Sequence, residues 1–316
     1  MDSAGPGLFP PIEPFDSGML AVGDGHQLYW EQSGRPDGTP VVFLHGGPGA
    51  GCAPTHRRFF DPAFYRIVLF DQRGAGKSTP SGELAANTTA HLVEDLEPCA
   101  ATSASAAGWC SAVLGQRLAL AYAQVHPQVC RGLILRGIFL GSDAEVDWFM
   151  YGIGRFYPEA YRAFVEAIPA LERDDLLHVP PADRAGPRHP PRRGAGLEPL
   201  RRRLLDAVAE PGHRAQLLRD RFRRAAGADR GRTTSSTGCS LEPARCLARV
   251  EAIRHLPAVI VQGRYDMVCP IATADQLHRA WPEATYDVVA DAGHAALEPG
   301  IRRALINASE RFKRLG

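Results

Sequence analysis

Two residues late in this chain have the types needed for proton transfer. Asp266 lies a few residues beyond the apolar run Leu256-Pro257-Ala258-Val259-Ile260-Val261, and His294 a few beyond the short run at 286–289. A histidine can take the proton of an attacking group. A carboxylate against its other ring nitrogen fixes the tautomer and stabilises the imidazolium. Taken singly, Asp266 reads as a turn residue and His294 as a surface histidine; their joint placement after strands favours a working pair. Earlier in the chain, Val41-Val42-Phe43-Leu44 reads as a buried strand and runs into His45-Gly46-Gly47-Pro48-Gly49. Glycines at that point let backbone N–H groups approach a ligand, and such donors stabilise an oxyanion in acyl transfer. A plain glycine turn is the other reading of the loop.

For these groups to meet, their strands must be parallel and must end on one edge of a sheet. The chain offers the elements. Arg66-Ile67-Val68-Leu69-Phe70 and the run at 132–140 read as further buried strands. Helical patterns occupy about 90–97, 118–123, 272–281 and 301–314. Strands alternating with helices predict a mostly parallel sheet with helices on both faces. Residues 1–18, rich in Pro and Gly, read as an extended arm, and 19–34 as a hairpin about Asp24-Gly25. Residues 143–177 are helical and aromatic and open an inserted segment.

Other chemistries are excluded. Gly76-Lys77-Ser78 follows a strand, but a phosphate-binding loop needs glycine six residues before the lysine, and Asp71 stands there. Asp71-Gln72-Arg73-Gly74 is therefore read as a tight turn whose charged side chains bond backbone or each other. The chain has 316 residues, 45% hydrophobic and 22% charged, with a formal net charge of +1, which indicates neither nucleic acid nor a membrane surface as partner. Arginines crowd between 192 and 224, but only Phe222 interleaves them, so a solvated, poorly packed stretch over 180–246 is expected. Seven cysteines without a CxxC pair argue against a disulfide framework or a zinc site. With no signal-peptide pattern at the N-terminus, a cytoplasmic location is expected.

The stretches LFPPIEPFDSGML, VVFLHGGPGAGC, LFDQRGAGKSTP, LALAYAQVHP, LILRGIFL, LPAVIVQGRYDMVCP and DAGHAALEP together resemble the proline iminopeptidase (prolyl aminopeptidase) family. The resemblance covers about 8–97, 118–178 and 247–316. It implies an α/β-hydrolase fold: a core of 1–142 and 253–316, with an inserted, degraded helical cap at 143–252. It also implies a serine-type aminopeptidase that releases N-terminal proline from small peptides, with no cofactor and no metal. By resemblance Asp266 and His294 are the catalytic acid and base, and Gly46 and Gly47 form the oxyanion loop. Glu251 stands where the family binds the substrate's amino group. Oligomeric state stays open.

The chain departs from the family at the nucleophile. The family carries Gly-Gly-Ser-Trp-Gly-Ser-Thr before its Leu-Ala-Leu-Ala-Tyr helix; this chain has Ser111-Ala112-Val113-Leu114-Gly115-Gln116-Arg117. The nucleophile position falls on Val113, with Ser111 and Cys110 nearby but out of register. A non-catalytic binding protein of the same fold, or a hydrolase using another nucleophile such as Cys110, are the alternatives. The low-grammar stretch 98–112 and the abrupt return of family-like sequence suggest a reading-frame shift. Val113–Arg117 can be encoded by GTC CTG GGG CAG CGC, and one base later the same string reads Ser-Trp-Gly-Ser.

Overall fold

The computed structural model describes residues 7–46, 50–83, 85–102, 109–113, 116–166, 173 and 243–315. Eight strands form one sheet: β1 (Pro14–Ala21), β2 (Gln27–Gly34), β3 (Thr39–Leu44), β4 (Tyr65–Phe70), β5 (Trp109–Val113), β6 (Cys130–Arg136), β7 (Ala258–Gly263) and β8 (Thr285–Val289). Their order across the sheet is β1-β2-β4-β3-β5-β6-β7-β8. From β4 to β8 neighbouring strands pair in parallel, and β2 runs against β1 and β4. The C-terminal ends of β3, β5, β6, β7 and β8 therefore share an edge.

Side chains of a strand alternate between faces, and the apolar runs fill both. Val42, Leu44, Val68, Phe70, Leu133, Leu135 and Ile260 pack on one side with α1 (Thr89–Thr102), α2 (Gln116–Val125) and α6 (Ile271–Ala280). Val41, Phe43, Ile67, Leu69, Ile134, Val259 and Val261 pack on the other with the short turn Pro54–Phe59 and α7 (Pro299–Phe312). A sheet buried on both faces needs continuous apolar strands, as the sequence has them. Each such side chain contributes about 1.5–3 kcal/mol of transfer free energy.

The hairpin forms as expected, with Asp24 at φ 51° between Gly23 and Gly25. Part of the expected arm is strand: Pro14 to Gly18 pair with β2. The helix expected at 90–97 runs on through Pro98 to Thr102. Between β6 and β7, neighbours in the sheet, the chain passes through α3 (Asp143–Asp147), α4 (Pro158–Glu166) and α5 (Pro243–Ala248). Ser142 and Glu145 cap α3 reciprocally. Cys246 and Val250 already pack in the first core cluster, ahead of the expected core boundary at 253. Of the stretch 180–246, only 243–246 lie among the described residues, and they open α5; the rest of that expectation lies outside them. Among the described residues no helix is long and apolar enough to cross a membrane.

Candidate active site

Asp266 and His294 meet at the C-terminal edge of the sheet. β7 ends at Gly263, and the turn through Arg264 and Tyr265 brings Asp266 back against the loop that follows β8. Arg264 N donates to Val289 O and Tyr265 N to Ala292 O, both at 2.9 Å. A Cβ on Gly263 would meet Gly293 O at 2.0 Å, so only glycine lets the two backbones come this close. His294 Nδ1 lies 2.9 Å from Asp266 Oδ1 and 2.8 Å from Oδ2. The Asp266 side chain is 1% exposed and that of His294 11%.

The carboxylate is held from several sides. Its Oδ1 accepts Val268 N at 3.0 Å and Cys269 N at 2.8 Å. Its Oδ2 accepts Gln262 Nε2 at 3.1 Å. Burial by itself would raise the Asp266 pKa. The charge and hydrogen bond of His294, the Cys269 N–H and the charge of Arg136 outweigh it, so the group sits below its ordinary value and stays ionised. Gln262 is fully buried on β7; it also donates to Cys269 O at 2.9 Å and accepts Ile138 N at 3.1 Å. It ties the exit of β6 to the acid. The sequence reading passed it over, and its one signal was a polar residue ending an otherwise apolar strand.

At the end of β3, His45 is buried and organises the glycine loop. Gln72 N donates to His45 Nε2 at 3.0 Å, so Nε2 is the acceptor. Nδ1 lies 2.8 Å from Gly46 O and 3.3 Å from Gly51 N. Gln72 Nε2 in turn donates to His45 O at 2.9 Å. Burial lowers the His45 pKa, more than the Gly46 carbonyl and the Asp71 charge raise it. Asp71 accepts Cys52 N at 2.5 Å and Lys77 N at 2.8 Å, and Lys77 Nζ lies 4.1 Å from the Tyr29 ring centroid. Residues 71–78 thus form the tight turn expected of them. Arg73 bonds the backbone of Val22 and Ala86, and its carboxylate partners are Asp95 and Asp24 rather than Asp71. Cys52 donates its thiol proton to Phe70 O at 3.3 Å, and burial, with the Asp71 charge, pushes its pKa well up, away from thiolate chemistry. Gly47 lies outside the described residues.

Val113 closes β5 and pairs with Leu44, the residue before His45. The position from which a nucleophile would face the pair is therefore a strand end between the glycine loop and the exit of β6. Cys110 pairs with Val41 on one side and Gly132 on the other. It sits three residues back in the strand, about 10 Å at 3.3 Å per residue. Ser111 is likewise within the strand.

Glu251 is not brought to this edge. It lies in the short turn Val250–Ile253 ahead of β7, with its side chain 79% exposed and accepting from Arg254 Nη1 at 2.9 Å. Arg254 also binds Glu283, just before β8. That cluster stands where β7 and β8 begin, whereas Asp266 and His294 stand where they end. Glu251 is therefore not among the predicted site residues that the structure gathers beside Asp266 and His294. Asp266, Cys269 and His294 each bring a ligand atom within 4.8 Å of the others, a group that could hold a cation. The Asp266 oxygens, however, already accept N–H groups from Val268, Cys269, Gln262 and His294. A cation would have to displace that network.

Residues 39–300 match the model of the alpha/beta hydrolase fold family. The chain is 46% identical to a proline iminopeptidase from Arabidopsis thaliana, covering 98% of this chain and 82% of that protein. It is 43% identical to a probable proline iminopeptidase from Leptolyngbya boryana, covering 96% of each. Among solved structures, a bromoperoxidase from Bacillus anthracis superposes with a TM-score of 0.59 at 17% identity, covering 95% of this chain and 100% of that one, a likeness of fold alone.

Proposed function

The chain belongs to the proline iminopeptidase family of the α/β hydrolases, and on that premise we propose that its site is built for serine-peptidase chemistry at the N-terminal proline of small peptides. In that chemistry His294 takes the proton of the attacking group and returns it to the leaving amine. Asp266 orients the imidazole and stabilises its charged form, and Gly46 and Gly47 are assigned the oxyanion role. The observation that carries the reading is the buried Asp266 carboxylate at 2.8 Å from His294 Nδ1. It lies on the sheet edge where β3 delivers His45 and Gly46.

Glu251 has no part in this proposal. Nor does Cys110, whose place inside β5 sets it back from the reacting centre. With Val113 at the strand end, no acyl-enzyme forms there, and catalysis rests on the acid–base pair and the loop donors. The cysteine usage supports a reducing compartment, and with it a cytoplasmic location.

The test compares p-nitroanilides of proline and alanine. Slow turnover that prefers proline and is lost in His294→Ala is the expected result. Turnover indifferent to proline, or surviving His294→Ala, contradicts the reading.

A further inference from the structure

The histidine loop is held by a residue that the acid–base description does not use. Glu298 occupies the N-cap position of α7, where an acidic side chain ordinarily accepts the free N–H groups of the first helical turn. It makes no such bond. Its carboxylate turns back along the chain instead. Glu298 Oε2 accepts Gly293 N at 2.7 Å, and Oε1 accepts Ala295 N at 2.7 Å. One carboxylate thus grips the N–H groups of the two residues that flank His294. On the opposite side of the same residue, the Arg136 guanidinium at the exit of β6 donates to His294 O.

The grip is local and charge-assisted. Both N–H donors belong to a loop with no ladder of its own, between the end of β8 and the start of α7. A carboxylate accepting two backbone N–H groups at this distance makes two of the stronger hydrogen bonds available to a peptide. The side chain of His294 leaves the backbone between those two bonds, so its direction toward Asp266 depends on them. The first turn of α7 forgoes its own cap in the exchange.

We infer that Glu298 is a positioning residue for His294, fixing the loop so that Nδ1 points at the Asp266 carboxylate. The inference rests on the reading of Asp266 and His294 as an acid–base pair, and its test separates the two. The readout is nuclear magnetic resonance of the His294 Nδ1 proton and of the ring's titration, which needs no turnover. The wild-type chain shows a far-downfield Nδ1 proton resonance, and Asp266→Asn abolishes it. Glu298→Ala broadens or loses that resonance and shifts the His294 titration. Glu298→Gln, of the same size and able to accept only one of the two N–H groups, gives an intermediate result, with Nδ1 proton exchange at least tenfold faster than wild type. Both variants speed exchange of the Gly293 and Ala295 amides. Should the alanine variant fail to fold, the glutamine variant carries the test alone.

A helix-stabilising role would lower the melting temperature and leave the resonance and titration in place. A wild-type resonance unmoved in the folded Glu298 variants overturns the inference alone. A wild type without the resonance, or one that keeps it in Asp266→Asn, overturns the acid–base pair and the inference with it.

Discussion

Replacing Gln262 by leucine probes how the acid is held. The side chain is fully buried and serves three partners: Ile138 N at 3.1 Å, Asp266 Oδ2 at 3.1 Å and Cys269 O at 2.9 Å. Leucine fills nearly the same volume, so no large cavity opens. What changes is that the Ile138 N–H and the Cys269 carbonyl lose this partner, and Asp266 loses one of its donors. A buried polar group left without its partner costs about 1–3 kcal/mol. Asp266 keeps Val268 N, Cys269 N and His294, so its share is smaller than that of the two backbone groups. The expected destabilisation is about 3–4 kcal/mol by that scale. At roughly 2–4 °C per kcal/mol for a domain of this order of size, the melting temperature falls by about 10 °C. Urea unfolding followed by circular dichroism measures it, as a lower midpoint at unchanged slope. A loss under about 1 kcal/mol, the scale of an ordinary surface substitution, refutes the bridging role.

Further outcomes follow from the same geometry. The buried His45 has its pKa lowered on folding, so its stabilising contribution is full above pH ~6.5 and is lost as pH falls below it, where the unfolded chain takes up the proton first. His45→Asn should flatten the stability slope there by up to about 1.4 kcal/mol per pH unit; an unchanged slope contradicts a neutral His45. Asp266 is likewise lowered, and its contribution, complete above pH ~3.9, is lost as pH falls through its folded value. Asp266→Asn should therefore lose stability at neutral pH and show a shallower acid limb. At the gene, codons 112–117 should contain Ser-Trp-Gly-Ser in a shifted frame, and a sequence without it ends the frame-shift account. Val113→Ser by itself should not restore activity, since the strand leading to it would remain altered; full recovery by that one change contradicts this.

The parts of the fold that were legible in the sequence are those where burial writes itself into composition. β3, β4, β6 and β7 are apolar on both faces and stand out as continuous runs. Asp266 and His294, after β7 and β8, could be placed because parallel strands bring their exits to one edge. β5 was not legible. Trp109-Cys110-Ser111-Ala112-Val113 has no strong pattern, and its strand state comes from pairing with β3 and β6 on either side, where tertiary context overrides local preference. Gln262 and Glu298 were missed because their roles lie in hydrogen bonds to backbone, which no spacing rule reveals. The motif fragment around Glu251 carried no information about the Arg254 and Glu283 charges that hold that turn.

The central claim is that a hydrolase site of this family is assembled here around an acid–base pair, with valine at the position of the nucleophile. Steady-state hydrolysis of proline p-nitroanilide by the chain of this sequence tests it most directly. The expected result is slow, proline-preferring turnover far below that of a competent serine peptidase, dependent on His294 and insensitive to Cys110→Ala. Turnover at the level of a competent serine peptidase, or any turnover abolished by Cys110→Ala, would contradict it.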